Sequence, residues 1–413
     1  MIMMKRYMSL LMLGIALAPQ LMMAQTRLLS LEQCMRMAVE NSPLMSAANQ
    51  SVERAKVLQG SAWDMEKTEI TLSQDPTSGG SPDNAISLSQ SIEFPTYYIA
   101  RRGQLKAETQ VERSKANVLR KNLECDVKSA YYQLIFEKRK MSLLLEQDSV
   151  LLQYKTIAKK RFDAGEVRRL EWLSAERAYQ ENKMELSSSF TSLKNQQQRL
   201  AFLVGIEDGI EPVDQNLAPL ELVLLEYNYA QSAEGAYAQD KLVAAEKAVS
   251  VARNGYAPSL NLSLRNQLVI SSWNPYHQDR SKFDGGNFMG FEVGVGVPLF
   301  YGATKSKVKA AKKDREILET EMKSERQACQ QEFLEAQNRC HTLYARVNYY
   351  LQEGAKGAEE LRRLSILEYG NGEIGYVELA NALQESVDLK LKCAESINDY
   401  NQSVIALERL TRH

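Results

Sequence analysis

The chain is written twice, and a repeat of this length limits the fold to two copies of one unit. Aligning RFDAGEVRRLEWLSA with EYGNGEIGYVELANA sets Gly165, Glu166 and Glu171 on Gly372, Glu373 and Glu378, each pair 207 positions apart. Aligning SIEFPTYYIARRGQLKAE with VGVPLFYGATKSKVKAAK sets Pro95 on Pro298, 203 positions on. A weaker match of ANQSVERAKVLQGSAW to AAEKAVSVARNGYAPS carries the duplication toward the start of each half. Each half reads helix, strand, turn, strand, very long helix, tip, helix. The first occupies residues 25–205 and the second 229–413, with 206–228, which holds Pro212 and Pro219, as the connection between them.

Strands are expected near 67–75 and 84–94, and again near 259–271 and 287–298, because apolar and polar residues alternate there with period 2. Ile70, Leu72, Ile86, Leu88, Ile92 and Phe94 share one face in the first half. Leu260, Leu262, Leu264, Leu268, Ile270, Phe291, Val293, Val295 and Val297 share one in the second. Four strands are too few to close a barrel, which needs about eight. Strands of this kind suit either a sandwich or a lipid-facing barrel with a polar lumen. Aromatic residues gather at the strand ends (Trp63, Phe94, Tyr97, Tyr98, Trp273, Tyr276, Phe288, Phe300, Tyr301), where an interfacial girdle would sit. The pattern alone leaves both settings open.

From Thr96 to Arg161 there is no proline and only one glycine, Gly103, so the stretch predicts a single helix of roughly 100 Å. Its partner carries a 3,4 spacing from Trp172, Ala175, Tyr179 and Asn182 to Leu200 and Leu203. The register recurs from Leu379, Ala382, Ser386 and Leu389 to Leu407 and Leu410. A second, offset series (Leu383, Val387, Ala394, Ile397, Val404) gives the last helix two seams. Paired seams favour a stave packed on both sides in a closed ring of helices, against the alternative of an ordinary bundle. Tips are expected near 162–167 and 369–374, where Gly165 and Gly372 reverse the chain. Glu166 and Glu373 are expected in the first turn of the following helix, complementing its dipole. Asp163, Arg168, Arg169 and Tyr376 are the expected exposed residues for meeting a partner or gating a pore.

Lys5 and Arg6 precede an apolar run from Met8 to Leu17, and a small residue follows at Ala24, so residues 1–24 read as a secretory signal, with the first cysteine, Cys34, too late for a lipid anchor. With 44% hydrophobic and 25% charged residues, a mean hydropathy of -0.38 and a net charge of -1, the composition argues against a helical membrane protein. A near-zero net charge likewise gives no reason to expect nucleic acid as a partner. Five scattered cysteines form no C-x-x-C pair, and His277, His341 and His413 stand at no ligand spacing, so neither metal nor cofactor nor catalytic residues are expected.

These residues carry a family resemblance. LLSLEQCMRMAVENSPLMSAANQSVERAK resembles the opening of the TolC family of outer membrane efflux proteins, and YGNGEIGYVELANALQESVDLKLKCAESINDYNQSVIALERL resembles its closing helix. Pro95 and Pro298 sit where that family turns from barrel to helix, and Pro258 marks the entry to the second strand pair, a role no proline plays in the first half. SIEFPTYY resembles the branch that serves heavy-metal cation efflux. The resemblance implies a mainly α fold with a small β part: a homotrimer whose strands form a 12-stranded outer-membrane β-barrel joined to a periplasmic coiled-coil α-barrel. It implies a non-enzymatic exit channel in the outer membrane of a Gram-negative bacterium, serving tripartite efflux or type I secretion. The tips, with Asp163, Gly165, Glu166, Arg168, Arg169, Gly372, Glu373 and Tyr376, would dock a periplasmic adaptor (membrane fusion protein) and an inner-membrane pump, and lipid would cover the barrel. A periplasmic adaptor and an exported coiled-coil scaffold are the rival readings. An adaptor should carry one hairpin where this chain carries two, and a scaffold leaves the duplicated amphipathic strand pairs unexplained.

Overall fold

The computed structural model describes residues 27–75, 83–222, 227–268 and 287–411. The expected signal segment lies outside them, as do Ile270, Trp273, Tyr276, His277 and His413. In chain order the elements are β1 (Arg27–Leu29), α1 (Leu31–Asn41), α2 (Pro43–Leu58), β2 (Glu69–Asp75), β3 (Asp83–Glu93), α3 (Pro95–Asp163) and α4 (Arg169–Val204). There follow β4 (Ile210–Pro212), α5 (Ala233–Arg253), β5 (Ser259–Leu268), β6 (Asn287–Gly296), α6 (Gly302–Tyr349), α7 (Ala355–Gly370) and α8 (Tyr376–Thr411). A single π-helical turn, Tyr350–Gly354, joins α6 to α7.

The repeat is kept to the residue in the helices: α3 starts at 95 and α6 at 302, α3 ends at 163 and α7 at 370, and α4 starts at 169 and α8 at 376, always 207 apart. The strand ends Glu93 and Gly296 are 203 apart instead. The four-residue difference lies in one place. Phe94 alone connects β3 to α3, whereas residues 297–301 connect β6 to α6. Pro95 is therefore the first residue of α3, where its missing N–H is no loss. Pro298, expected as its equivalent, lies in the longer connection and opens no helix.

The described chain divides into two compact units, and both draw on both halves of the repeat. The first contains residues up to Ser42, Asn122–Leu224 and Ala336–Arg409; the second contains Pro43–Lys121 and Leu225–Glu335. Helices α3 and α6 contribute residues to each.

In the first unit the helices lie side by side in the order α4, α3, α8, α6/α7. Leu200, Ala201 and Val204 of α4 pack with Val127, Ala130, Tyr131 and Leu134 of α3, and Cys34 and Ala38 of α1 close the cluster. On its other side α3 places Phe136 and Leu143 against Val387 and Ala394 of α8. The opposite side of α8 packs Cys393, Ile397, Tyr400 and Val404 on Cys340, Leu343 and Val347 of α6. Both expected seams of α8 are thus filled within one chain. The connection after β4 is pinned across α8 by Asn401, which is fully buried: its side-chain oxygen accepts from the Leu220 N–H at 2.8 Å and its amide donates to the Ala218 carbonyl at 2.9 Å. Leu217, Leu220 and Leu222 then cover the α6–α8 cluster.

In the second unit the sheet order is β2-β3-β5-β6, antiparallel throughout. Gln59 donates to Thr109 at 2.7 Å, tying the end of the α2 segment to α3, and buried Lys121 holds both carboxylate oxygens of Glu234 at 2.6 and 2.5 Å. Such a pairing is what allows a lysine to be buried at all.

Candidate functional site

The four strands stand in a register that turns the period-2 pattern into rows. Ile70 pairs with Leu88, Leu88 with Leu264, and Leu264 with Phe291. One step along, Gln90, Leu262 and Val293 line up, two steps along Ile92, Leu260 and Val295 do, and one step in the opposite direction Leu72, Ile86, Asn266 and Met289 do. The reverse face presents Glu69, Ser89, Ser263 and Glu292 in one row and Thr71, Ser87, Arg265 and Gly290 in the next.

The apolar face is bare. Leu72 is 77% exposed, Phe291 84% and Val293 62%, and Ile70, Ile86, Leu88, Leu262, Leu264, Met289 and Val295 are exposed beside them. Full burial of side chains of this size is worth about 1.5–3 kcal/mol each. Ten left partly or largely exposed together forgo about as much as the ~5–15 kcal/mol net stability of an ordinary domain. A sandwich, one of the two settings open to these strands, covers this face with a second sheet; among the described residues nothing does. Gln90 interrupts the face next to Leu262, and its polar atoms are taken up locally by Thr68 at 2.6 Å and the Glu66 carbonyl at 2.7 Å.

At the strand-to-helix junctions the expected girdle is realised unevenly. Trp63, Phe94, Phe300 and Tyr301 are exposed, but Tyr98 is buried: its ring stacks on Trp63 at 5.1 Å and its hydroxyl accepts from the Glu93 N–H at 3.1 Å. Phe288 lies in β6, with its side chain outside the described part. Pro258 directly precedes β5.

The two helical tips share one backbone solution. Gly165 and Gly372 both adopt φ of 76°, the left-handed conformation that glycine alone takes without strain. The next residue then reaches back across the helix end: the Glu166 N–H donates to the Arg161 carbonyl and the Glu373 N–H to the Glu368 carbonyl, each at 2.9 Å. These bonds complete the left-handed glycine cap of a helix C-terminus. Glu166 and Glu373 therefore belong to the turn and not, as expected, to the first turn of the next helix. That place is taken by Glu171 and Glu378. The Glu378 carboxylate accepts from the Gly375 N–H at 2.8 Å and so caps α8.

Their side chains differ. At the first tip Glu166 pairs with Arg161 at 3.2 Å, Asp163 pairs with Lys159, and Lys159 lies over the stacked rings of Phe162 and Trp172. Arg168 and Arg169 stand exposed, with no ion pair among the described residues. At the second tip Tyr376, expected to be exposed, is half-buried between Tyr154 at 5.9 Å and Tyr369 at 5.7 Å. Burial raises its hydroxyl pKa. Below this contact Leu151, Tyr154 and Ala158 of α3 pack with Ala175 of α4 and Ala380 of α8, so a single cluster joins both hairpins. Among the described residues no group of three or more His, Cys, Asp or Glu side chains is placed to hold a metal ion, and no helix is long and apolar enough to cross a membrane.

Sequence reasoning missed the Asn401 clamp and a polar ladder between α3 and α8. In the ladder Asn398 donates to Gln133 at 3.0 Å, Ser129 to Gln402 at 2.6 Å, and Lys128 to Glu408 at 2.6 and 2.8 Å. Its only trace in the sequence is the polar residues flanking the α8 seams.

The same fold recurs in solved structures over nearly the full length. A membrane protein from Pseudomonas aeruginosa aligns with a TM-score of 0.76 at 16% identity, covering 92% of this chain and 93% of that one. CusC aligns with a TM-score of 0.74 at 14% identity, covering 93% and 92%. The open state of the Neisseria gonorrhoeae MtrE outer membrane channel aligns at 0.73 and 17%, covering 92% and 88%. No curated protein sequence matches the chain. The family model for outer membrane efflux proteins matches residues 229–411, the second copy of the repeat.

Proposed function

We propose that three copies of this chain form an exit duct in the outer membrane of a Gram-negative bacterium, passing substrate outward from a periplasmic adaptor and an inner-membrane pump. The observation that carries this reading is the bare apolar face, continuous across all four strands and backed by a face of Ser, Thr, Asn, Arg and Glu. Lipid is the cover such a face needs, and a water-filled lumen suits its reverse.

The edges support assembly. Strands β2 and β6 are unpaired on their outer sides and run in opposite directions, so β6 of one copy can add antiparallel to β2 of the next. Open edges in a lipid setting must be closed, because unpaired backbone groups there each cost several kcal/mol. Three copies give twelve strands, enough for a barrel with an open lumen. The tips, with exposed Arg168 and Arg169, are the surfaces offered to the adaptor.

Lysine at Phe291, in the central apolar row, should abolish extraction of an assembled, detergent-dependent particle, since a lysine on the lipid face of a barrel costs roughly 2–4 kcal/mol at the midplane. Ser89→Lys, on the reverse face beside Glu69 and across from Ser263, should be tolerated. Equal tolerance of both substitutions would remove the lipid assignment.

A further inference from the structure

We infer that exposed cations in the first turns of α3 and α6 form a collar that holds the headgroups of acidic phospholipids in the periplasmic leaflet. The inference rests on the duct reading for where the membrane lies.

The repeat picks these residues out. Arg102 and Lys106 stand nine and thirteen positions past Glu93, the end of β3, and Lys305 and Lys309 stand nine and thirteen past Gly296, the end of β6. The two pairs are therefore 203 apart, the offset of the strands, although the helices that carry them start 207 apart. A feature kept at a fixed distance from the sheet is placed by what the sheet meets. All four side chains are exposed, and none forms an ion pair among the described residues. Lys313, a turn further on, differs in being paired with Glu316.

The charge is one-sided. Pro95 to Lys106 holds three cations and Gly302 to Lys313 five, with no Asp or Glu in either stretch, in a chain whose net charge is -1. Cations at a helix N-terminus oppose the helix dipole, and neither helix has an acid in its first turn, so helix formation does not select this composition. An anionic partner does.

Apolar residues stand between the collar and the sheet. Ile99, Arg102 and Lys106, spaced i, i+3 and i+7, share one face of α3, and Ile99, nearest the strands, is 68% exposed. In the other copy the connection 297–301 leaves Leu299 78% and Phe300 91% exposed ahead of Lys305 and Lys309. Apolar first and basic next is the order in which a leaflet presents acyl chains and phosphates. A water-filled lumen offers Ile99 no cover. The headgroup layer on each side of a bilayer is about 5–7 Å deep. Arg and Lys on the first three turns, roughly 16 Å of helix, reach it by bending their long stems back toward the sheet.

The test uses the full-length protein, delipidated in non-ionic detergent and titrated with dioleoylphosphatidylglycerol or dioleoylphosphatidylcholine while native mass spectrometry counts the bound lipid. Phosphatidylglycerol should bind at least about tenfold more tightly. Lys305→Gln should lower this preference about fivefold, as expected of one lysine at a lipid surface, whereas Lys307→Gln removes the same charge about 200° round the helix and should leave it unchanged. Replacing Arg102, Lys106, Lys305 and Lys309 together by glutamine should abolish the preference without altering the assembled mass. An unchanged preference in that variant overturns the collar. Loss of assembly also overturns it, by making the cations a contact between copies, as does displacement of the lipid by millimolar inorganic phosphate, by making them a site for free anions. A shifted reversal potential in planar bilayers with lipid binding intact overturns it too, because the cations then line the lumen. A conducting trimer with no lipid preference would keep the duct and remove the collar. A preference that the fourfold variant loses, in a protein that never conducts, would keep the collar and remove the duct.

Discussion

Helices α4 and α8 occupy equivalent places in the repeat and have the same length, 36 residues, yet their surroundings are unlike. Helix α8 lies between α3 and α6 and buries residues along both of its seams; α4 lies at the outside of the layer, packs on α3, and leaves Leu170, Met184, Phe190 and Phe202 exposed. Duplication therefore reproduces lengths, caps and turns, which are local, but leaves each copy's neighbours to be decided by the order in which the helices assemble. The sheet repeats the lesson. Strands β3 and β5 are paired on both sides, while β2 and β6 end the sheet with open edges.

The sharpest way to break this comparison is to truncate matched positions. Tyr400, 1% exposed and in ring contact with Tyr344 at 5.6 Å, corresponds to half-buried Leu193. Tyr400→Ala should destabilise by roughly 3–5 kcal/mol and Leu193→Ala by less than half of that, read as denaturation midpoints in detergent. Equal losses would mean that α4 is covered as fully as α8, by this chain or by a neighbouring copy. Next comes Asn401, whose counterpart Lys194 is exposed. Asn401→Ala leaves the Leu220 N–H without its acceptor and should cost about 1–3 kcal/mol, whereas Lys194→Ala should be close to neutral.

The tips are where the halves should behave alike. Gly165→Ala and Gly372→Ala each force a side chain into the left-handed region and should each cost about 1–2 kcal/mol. A clear inequality would show that one tip is held by more than its turn.

The smallest expected effect is a pH dependence confined to α8. Burial raises the carboxyl pKa of Asp388, with Glu185 and Glu385 adding to the rise and Lys392 and the Gln147 hydrogen bond opposing it. Between the ordinary aspartate pKa and the raised one, the folded chain holds a proton that the unfolded chain has lost, so stability falls as pH rises through that window. Asp388→Asn should flatten this slope and slightly raise the midpoint at neutral pH; an unchanged slope would refute the assignment.

Much of this was legible beforehand because it is local or periodic. Glycine at a helix end, alternation in the strands and the 3,4 spacing in α8 each have a single short-range cause. The four-residue difference between the strand and helix offsets was visible as 203 against 207, but its location in residues 297–301 required the end of β6. Glu166 and Glu373 were misplaced because the capping bond occupies them with the preceding helix, which composition does not reveal. Tyr376 was read as exposed because its cover, Tyr154, lies on a helix more than two hundred residues earlier in the chain. The π-turn has no sequence mark, since Leu143–Gln147 and Tyr350–Gly354 differ in winding and not in length. The bare sheet face was half legible: alternation told which residues share it, but not which of them another part of the chain would cover.

The most direct test of the central claim is to extract the full-length protein from outer membrane with detergent and measure its assembled mass together with its conductance in a planar bilayer. A trimeric, detergent-dependent particle that opens discrete channels is the predicted result. A protein that is monomeric and soluble without detergent, and that conducts nothing, would contradict it.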